Sequence, residues 1–349
     1  MYYSVVAGWA IDYVFQSAIG SFRGFNGDRS GAFFGELLAS PWRMFFWHTM
    51  YIGLTVFVVA RGVKKGLERS VKIMMPALFV ILLFMVGYAI FTGDFRAGLG
   101  FLFTPDFSKL TVPIVLMAMG QALFSLAIGV GAMMTYGAYL PKAVSLPFAA
   151  TVIGVVDTLV AILAGLAIFP LVLGYGLNPG EGPGLIFVTL PVAFGQMPGG
   201  SIVGSLFFVL LTFAALTSSI GMLEPVVSWL EEHRGFKRPM MAILAGLFAW
   251  LVGLAVALSF NLWGHFRPLG MFSFFANKTI FDCMDFFVAN VFMPLNAFLI
   301  AVFAGWMMSR PSTLDELGLT DGALYGYWRF ILRYAAPLAF LLIFFSSLK

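Results

Sequence analysis

The sequence predicts an all-α polytopic membrane protein with nine transmembrane helices, and three observations predict it. Of 349 residues, 61% are hydrophobic and only 10% charged, with a mean hydropathy of +0.96, a composition far from that of a soluble domain. Runs free of Asp, Glu, Lys and Arg cover 73–93, 110–141, 182–223, 239–266 and 286–309, each at least the roughly 20 residues a helix needs to cross hydrocarbon. These runs are continuous, whereas membrane strands alternate over about 10 residues.

The spans are expected near 2–21, 44–60, 69–92, 110–139, 144–173, 201–230, 239–260, 283–307 and 326–347. The first, "MYYSVVAGWAIDYVF", is interrupted only by Asp12 and has no basic leader, so it does not read as a cleavable signal. The second runs into "RGVKKGLERSVK", and the third carries Pro76. The fourth contains "GQALFSLAIGVGAMMTYGAYL", with Ser125 and glycines at 129, 131 and 137. Small residues in membrane helices most often serve close packing. The same glycines also suit a helix broken at mid-membrane, where freed carbonyls bind cations. Packing is the first reading and a break the second.

The fifth span holds Asp157, an ionisable residue whose burial costs several kcal/mol unless it is paired or protonated, which makes it a functional candidate. In the sixth, Ala214, Thr217 and Ser218 share one face at i, i+3 and i+4. Two hydroxyls beside a carbonyl suit a hard cation, although such hydroxyls ordinarily bond back to their own helix. Glu224 precedes Pro225 in the same span, and Asp12 raises a similar question of burial. Asp282 and Asp285 sit at the start of the eighth span, where solvated carboxylates are ordinary. Cys283 is the only cysteine, so no disulfide framework can form.

Basic residues concentrate in the connections after spans two, four, six and eight, which places these and Met1 in the cytoplasm and Lys349 outside. The net charge of +4 therefore reports membrane orientation, and nothing supports nucleic-acid binding. The segment 174–200, "GYGLNPGEGPGLIFVTLPVAFGQMPGG", has neither the preceding strand nor the glycine spacing of a phosphate loop. It is expected to be an outer, lid-like loop dipping back into one transmembrane domain spanning 1–349.

The runs "YYSVVAGW", "RGVKKGLERSVKIMMP", "TPDFSKL", "GQALFSLAIGVGAMMTYGAYL", "GPGLIFVTLP", "FAALTSSIGMLEP" and "RYAAP" together resemble the neurotransmitter:sodium symporter family, in particular its bacterial amino-acid transporters. The nine spans resemble helices three to eleven of that inverted-repeat sodium symporter fold. The resemblance implies sodium-coupled symport of an amino acid across the cell membrane, with sodium as the coupling ion and lipid as the surroundings. It implies sodium ligands at Ser125 and Asp157 in one site and at Ala214, Thr217 and Ser218 in a second. Tyr3 and Ser125 match positions beside the substrate carboxylate. Phe124, Ala127, Val130, Ser218 and Met222 match positions around the substrate, in an apolar pocket that favours a large hydrophobic or aromatic amino acid. Gating positions fall on Asp285 outside and on Tyr139 and Glu232 inside, with Gly66 and Pro76 resembling a pattern of local unwinding. A carboxylate at 157, where many members have asparagine with chloride nearby, implies that chloride is not required.

The family's first two helices have no counterpart in this chain. Without them Ser125, Asp157, Thr217 and Ser218 would lack partners, at a cost on the order of several kcal/mol per unsatisfied group. The chain alone is accordingly expected to be an N-terminally incomplete, inactive fragment of a symporter. A non-transporting membrane subunit or decoy of a full-length symporter is the alternative. An intramembrane enzyme or channel is a third reading, weakened by His48, His233 and His265 lying scattered near span ends with no metal motif.

Overall fold

The computed structural model describes residues 1–180 and 182–347. Glu181 of the 174–200 segment and Lys349, expected outside the cell, lie outside the described residues. Among the described residues, seven helices are long and apolar enough to cross a membrane: Pro41–Ala60, Val63–Thr92, Leu146–Gly174, Gly200–Arg234, Arg238–Leu258, Ile280–Met307 and Ala323–Ser346. These correspond to seven of the nine expected spans, so the count of nine is not reached. The first expected span is a 17-residue helix, Tyr2–Ala18. The fourth is broken into Val112–Ser125 and Ala132–Tyr139.

Short helices fill connections that carry no span. Asn26 caps Gly27–Ala39 by accepting from the Arg29 amide at 2.9 Å, and Asp94 caps Phe95–Phe103 by accepting from Ala97 at 2.9 Å. Within 174–200, expected to be a lid-like loop, Leu185–Gln196 is helical. It buries Phe187, Leu190, Val192, Ala193 and Phe194, as its unbroken apolar run requires.

The chain divides into two compact units. The first comprises Met1–Thr104 and Ala161–Phe281; the second comprises Pro105–Val160 and the residues from Asp282 onward. In the first unit Tyr2–Ala18 packs on Gly200–Arg234 and Pro41–Ala60, burying Ala7, Ile11, Tyr51, Leu216 and Ile220 in a shared core. Asp12 is buried there and met by a bidentate fork, with Arg43 Nε donating at 2.9 Å and Nη2 at 2.6 Å. That pairing gives the buried carboxylate a counter-ion and two hydrogen bonds. The second unit gathers Leu123, Met293, Ala297 and Ile343.

Leu146–Gly174 buries only 11% of its apolar window within the protein despite a hydropathy of 2.5. Such a surface needs lipid around it, because water would not solvate it.

Candidate functional site

In the second unit the glycine-rich stretch resolves in favour of the break. Val112–Ser125 ends at Ser125, and the chain does not resume a helix until Ala132. Between them Ala127, Gly129 and Gly131 take φ of 51°, 90° and 87°. An alanine in the left-handed region costs roughly 1–2 kcal/mol, so the surroundings hold this conformation in place.

Gly129 shows how. A Cβ there would lie 2.4 Å from the Met293 carbonyl oxygen, and Asn296 Nδ2 donates to the Gly129 carbonyl. The unwound backbone is thus pressed and hydrogen-bonded onto Ile280–Met307.

Unwinding has a chemical consequence. The Leu126, Ala127 and Ile128 amides turn back to Ala122, Phe124 and Leu123, so no backbone amide among the described residues bonds the Ser125 or Leu126 carbonyl. The Ser125 hydroxyl, at the break, donates to the Asp157 carboxylate. A carboxylate, a hydroxyl and released carbonyls collect oxygen ligands of the kind hard cations take. Phe124, Ala127 and Val130 lie on or next to the same break, with Phe124 exposed and the other two half-buried. Tyr139 ends Ala132–Tyr139, and Asp285 is exposed at the start of its helix.

In the first unit Ala214, Thr217 and Ser218 lie together on Gly200–Arg234. Thr217 Oγ1 donates to the carbonyls of Phe213 at 3.1 Å and Ala214 at 2.9 Å, and Ser218 Oγ to Ala214 at 3.0 Å. This is the ordinary back-bonding of membrane hydroxyls. It uses the hydroxyl protons and leaves oxygen lone pairs, the part a cation needs. The Tyr3 side chain lies beside Ser218, so two positions assigned separately from the sequence are brought together. Met222 is exposed one turn further along the helix.

Gly66 and Pro76 belong to one helix. After Gly62, with φ 84°, the chain winds as a π-helix over Val63–Glu68 before the α-helix that contains Pro76. A Cβ at Gly66 would lie 2.0 Å from the Val58 carbonyl oxygen, so only glycine fits this approach.

Glu232 is exposed, and the acids engaged at this end are its neighbours. Arg238 donates to the fully buried Glu224, to Glu231 at 3.0 Å, and through Nε to the Val59 carbonyl at 3.0 Å. Sequence reasoning missed this cluster, although a signal was present. Glu224 and Glu231 are seven residues apart, two turns along one helix face, and Arg238 opens the next helix after a short turn.

An interrupted helix carrying an oxygen cluster among long apolar helices defines a multi-pass membrane transporter. Residues 40–349 match the sodium:neurotransmitter symporter family. The uncharacterized sodium-dependent transporter YhdH of Bacillus subtilis (strain 168) is 38% identical over 348 residues, a match covering 99% of this chain and 76% of the relative. An uncharacterized sodium-dependent transporter of Haemophilus influenzae is 31% identical, with 99% and 76% covered. Among solved structures, the crystal structure of MhsT in complex with L-phenylalanine matches with a TM-score of 0.87 and 40% identity, covering 99% of this chain and 77% of that one.

The chain belongs to the sodium:neurotransmitter symporter family. Its relatives are sodium-dependent transporters, not enzymes, and this family membership sets the enzyme reading aside. The matches lend no support to the expectations that the chain is a fragment or is inactive.

Proposed function

We propose that this chain carries out sodium-coupled uptake of a large hydrophobic or aromatic amino acid, without a requirement for chloride. The observation that carries the proposal is the break at Ser125–Gly131, with Ser125 bonded to Asp157 and two carbonyls released beside it. Ser125, Asp157 and these carbonyls bind one sodium ion, while the Ala214 carbonyl, Thr217 and Ser218 supply ligands for another. Asp157 brings its own negative charge to its site, and this supports independence from chloride.

Tyr3 is assigned to the substrate carboxylate. Apolar and small side chains at Phe124, Ala127 and Val130 are suited to an apolar substrate side chain, and the similarity to MhsT bound to L-phenylalanine supports an aromatic one. Gly66 and Pro76 are assigned to inner gating, where a π-helical segment is already wound differently from its neighbours. Asp285, Tyr139 and Glu232 are proposed as gate residues on position alone.

The test is uptake of radiolabelled phenylalanine into proteoliposomes holding the purified chain, driven by a sodium gradient. Uptake that disappears when potassium replaces sodium, and in Ser125→Ala, is the expected result. Folded protein that takes up no large hydrophobic amino acid in a sodium-dependent way would overturn the proposal.

A further inference from the structure

Beside the assigned sodium ligands of the first unit lies a contact the proposed mechanism does not use. The hydroxyls of Tyr51 and Ser219 are hydrogen-bonded at 2.6 Å, and both groups are buried. Tyr51, on Pro41–Ala60, is fully enclosed, and Ser219 is 8% exposed. Ser219 directly follows Thr217 and Ser218, so on a helix its side chain projects about 100° around the axis from that of Ser218. The bond therefore pins one azimuth of Gly200–Arg234, and the directions of Thr217 and Ser218 follow from it.

Ala215, Leu216 and Ile220 pack into the same core, and to that packing the hydroxyl pair adds a bond with a preferred direction. The hydroxyls of Thr217 and Ser218 donate to carbonyls of their own helix, and so turn with it. Tyr51 to Ser219 is an interhelical hydrogen bond on this stretch that joins two fully or nearly fully buried side chains.

Sensitivity to rotation is high. A turn of about 10–20° moves a Cα on a cylinder of about 2.3 Å radius by roughly 0.4–0.8 Å, which already reaches the tolerance of roughly 0.5 Å within which a binding constellation works.

We infer that Tyr51 is a positioning residue for the sodium ligands Ala214, Thr217 and Ser218, acting through the Ser219 hydroxyl without touching the ion. The inference rests on the assignment of these three residues to sodium. It distinguishes a positioning bond from a merely structural one, because a structural bond alters stability and leaves ion affinity in place.

The experiment measures binding of radioactive sodium and the sodium dependence of uptake, together with thermal unfolding, for the purified chain and four variants. Tyr51→Phe removes only the hydroxyl, Ser219→Ala removes its partner, the double variant removes both, and Thr217→Ala removes an assigned ligand. Expected is a rise on the order of tenfold in half-saturating sodium for Tyr51→Phe, a similar rise for Ser219→Ala, and no further rise in the double variant. A folded Tyr51→Phe with unchanged sodium dependence, or effects of the two single variants that multiply, would overturn the inference while leaving the sodium site standing. An unchanged sodium dependence in folded Thr217→Ala would instead remove the site assignment, and the inference with it.

Discussion

Replacing Arg238 by methionine removes a cation of similar length from the point where three acceptors converge. Glu224 is fully buried and Arg238 is 12% exposed at its side chain, whereas Glu231 is 41% exposed. The two carboxylates should therefore respond very differently. Breaking a buried pair by deleting one partner costs about 3–5 kcal/mol, because the remaining charge loses its counter-ion in a poorly solvated place. A half-exposed pair contributes at most about 1 kcal/mol, since solvent screens it and replaces the lost bond.

The lost bond to the Val59 carbonyl, near the end of Pro41–Ala60, adds on the order of 1 kcal/mol. Arg238→Met is thus expected to lower stability by about 4–6 kcal/mol, and Glu231→Gln by less than about 1 kcal/mol. Thermal unfolding of purified protein in detergent, followed by intrinsic fluorescence, reads the difference. A second variant combining Arg238→Met with Glu224→Leu should recover much of the loss, because it removes the buried carboxylate together with its cation. Equal destabilisation by Arg238→Met and Glu231→Gln, or no recovery in the double variant, would refute the claim that Glu224 dominates this cluster.

Further predictions follow from the two oxygen clusters and the strained segments. Asp157→Asn should make uptake depend on chloride, measured by exchanging chloride for gluconate, while the parent chain stays indifferent. Gly129→Ala places a Cβ 2.4 Å from the Met293 carbonyl at a φ of 90°, which should cost at least 1–2 kcal/mol from backbone strain alone and abolish sodium-dependent uptake. Gly66→Ala meets the Val58 carbonyl at 2.0 Å, so the π-helical segment must shift; altered accessibility of a cysteine placed at Lys65 to a thiol reagent would report it. Arg43→Met should destabilise the fold by about 3–5 kcal/mol by leaving Asp12 unpaired, again read by thermal unfolding.

How far the sequence carries depends on whether the needed information lies within one helix. Spans were legible because hydropathy is a local property: the seven long helices follow charge-free or nearly charge-free runs. The bonding of Ala214, Thr217 and Ser218 was legible for the same reason, since i, i+3 and i+4 neighbours meet on any helix. Asp12 was visible as a buried charge, but its partner Arg43 lies 31 residues away across a turn and a short helix, so spacing could not pair them. Tyr51 and Ser219 are 168 residues apart, and neither residue type is unusual where it stands. Leu185–Gln196 is flanked by glycines and prolines, and what holds its apolar run lies far off in sequence, where Tyr13 and Phe208 pack on Phe187.

The broken helix is the instructive case, because local sequence favoured the wrong alternative. Glycines at 129, 131 and 137 satisfy close packing and unwinding equally well, and Ala127, which takes φ 51°, is among the best helix formers. Propensity therefore argues for a continuous helix through the very residue that departs from it. What reverses the balance comes from Ile280–Met307: the Met293 carbonyl requires a glycine at 129, and the Asn296 amide accepts the task of satisfying a carbonyl that a helix would have satisfied internally. A break in hydrocarbon survives only when another helix replaces the lost bonds. It follows that Asn296, which no motif marks, bears on the oxygen cluster through the Gly129 carbonyl. Asn296→Leu leaves the Gly129 carbonyl without its donor while preserving volume, and should reduce sodium-dependent uptake in protein that still folds. Uptake equal to that of the parent chain would mean that packing against Met293 alone holds the break open.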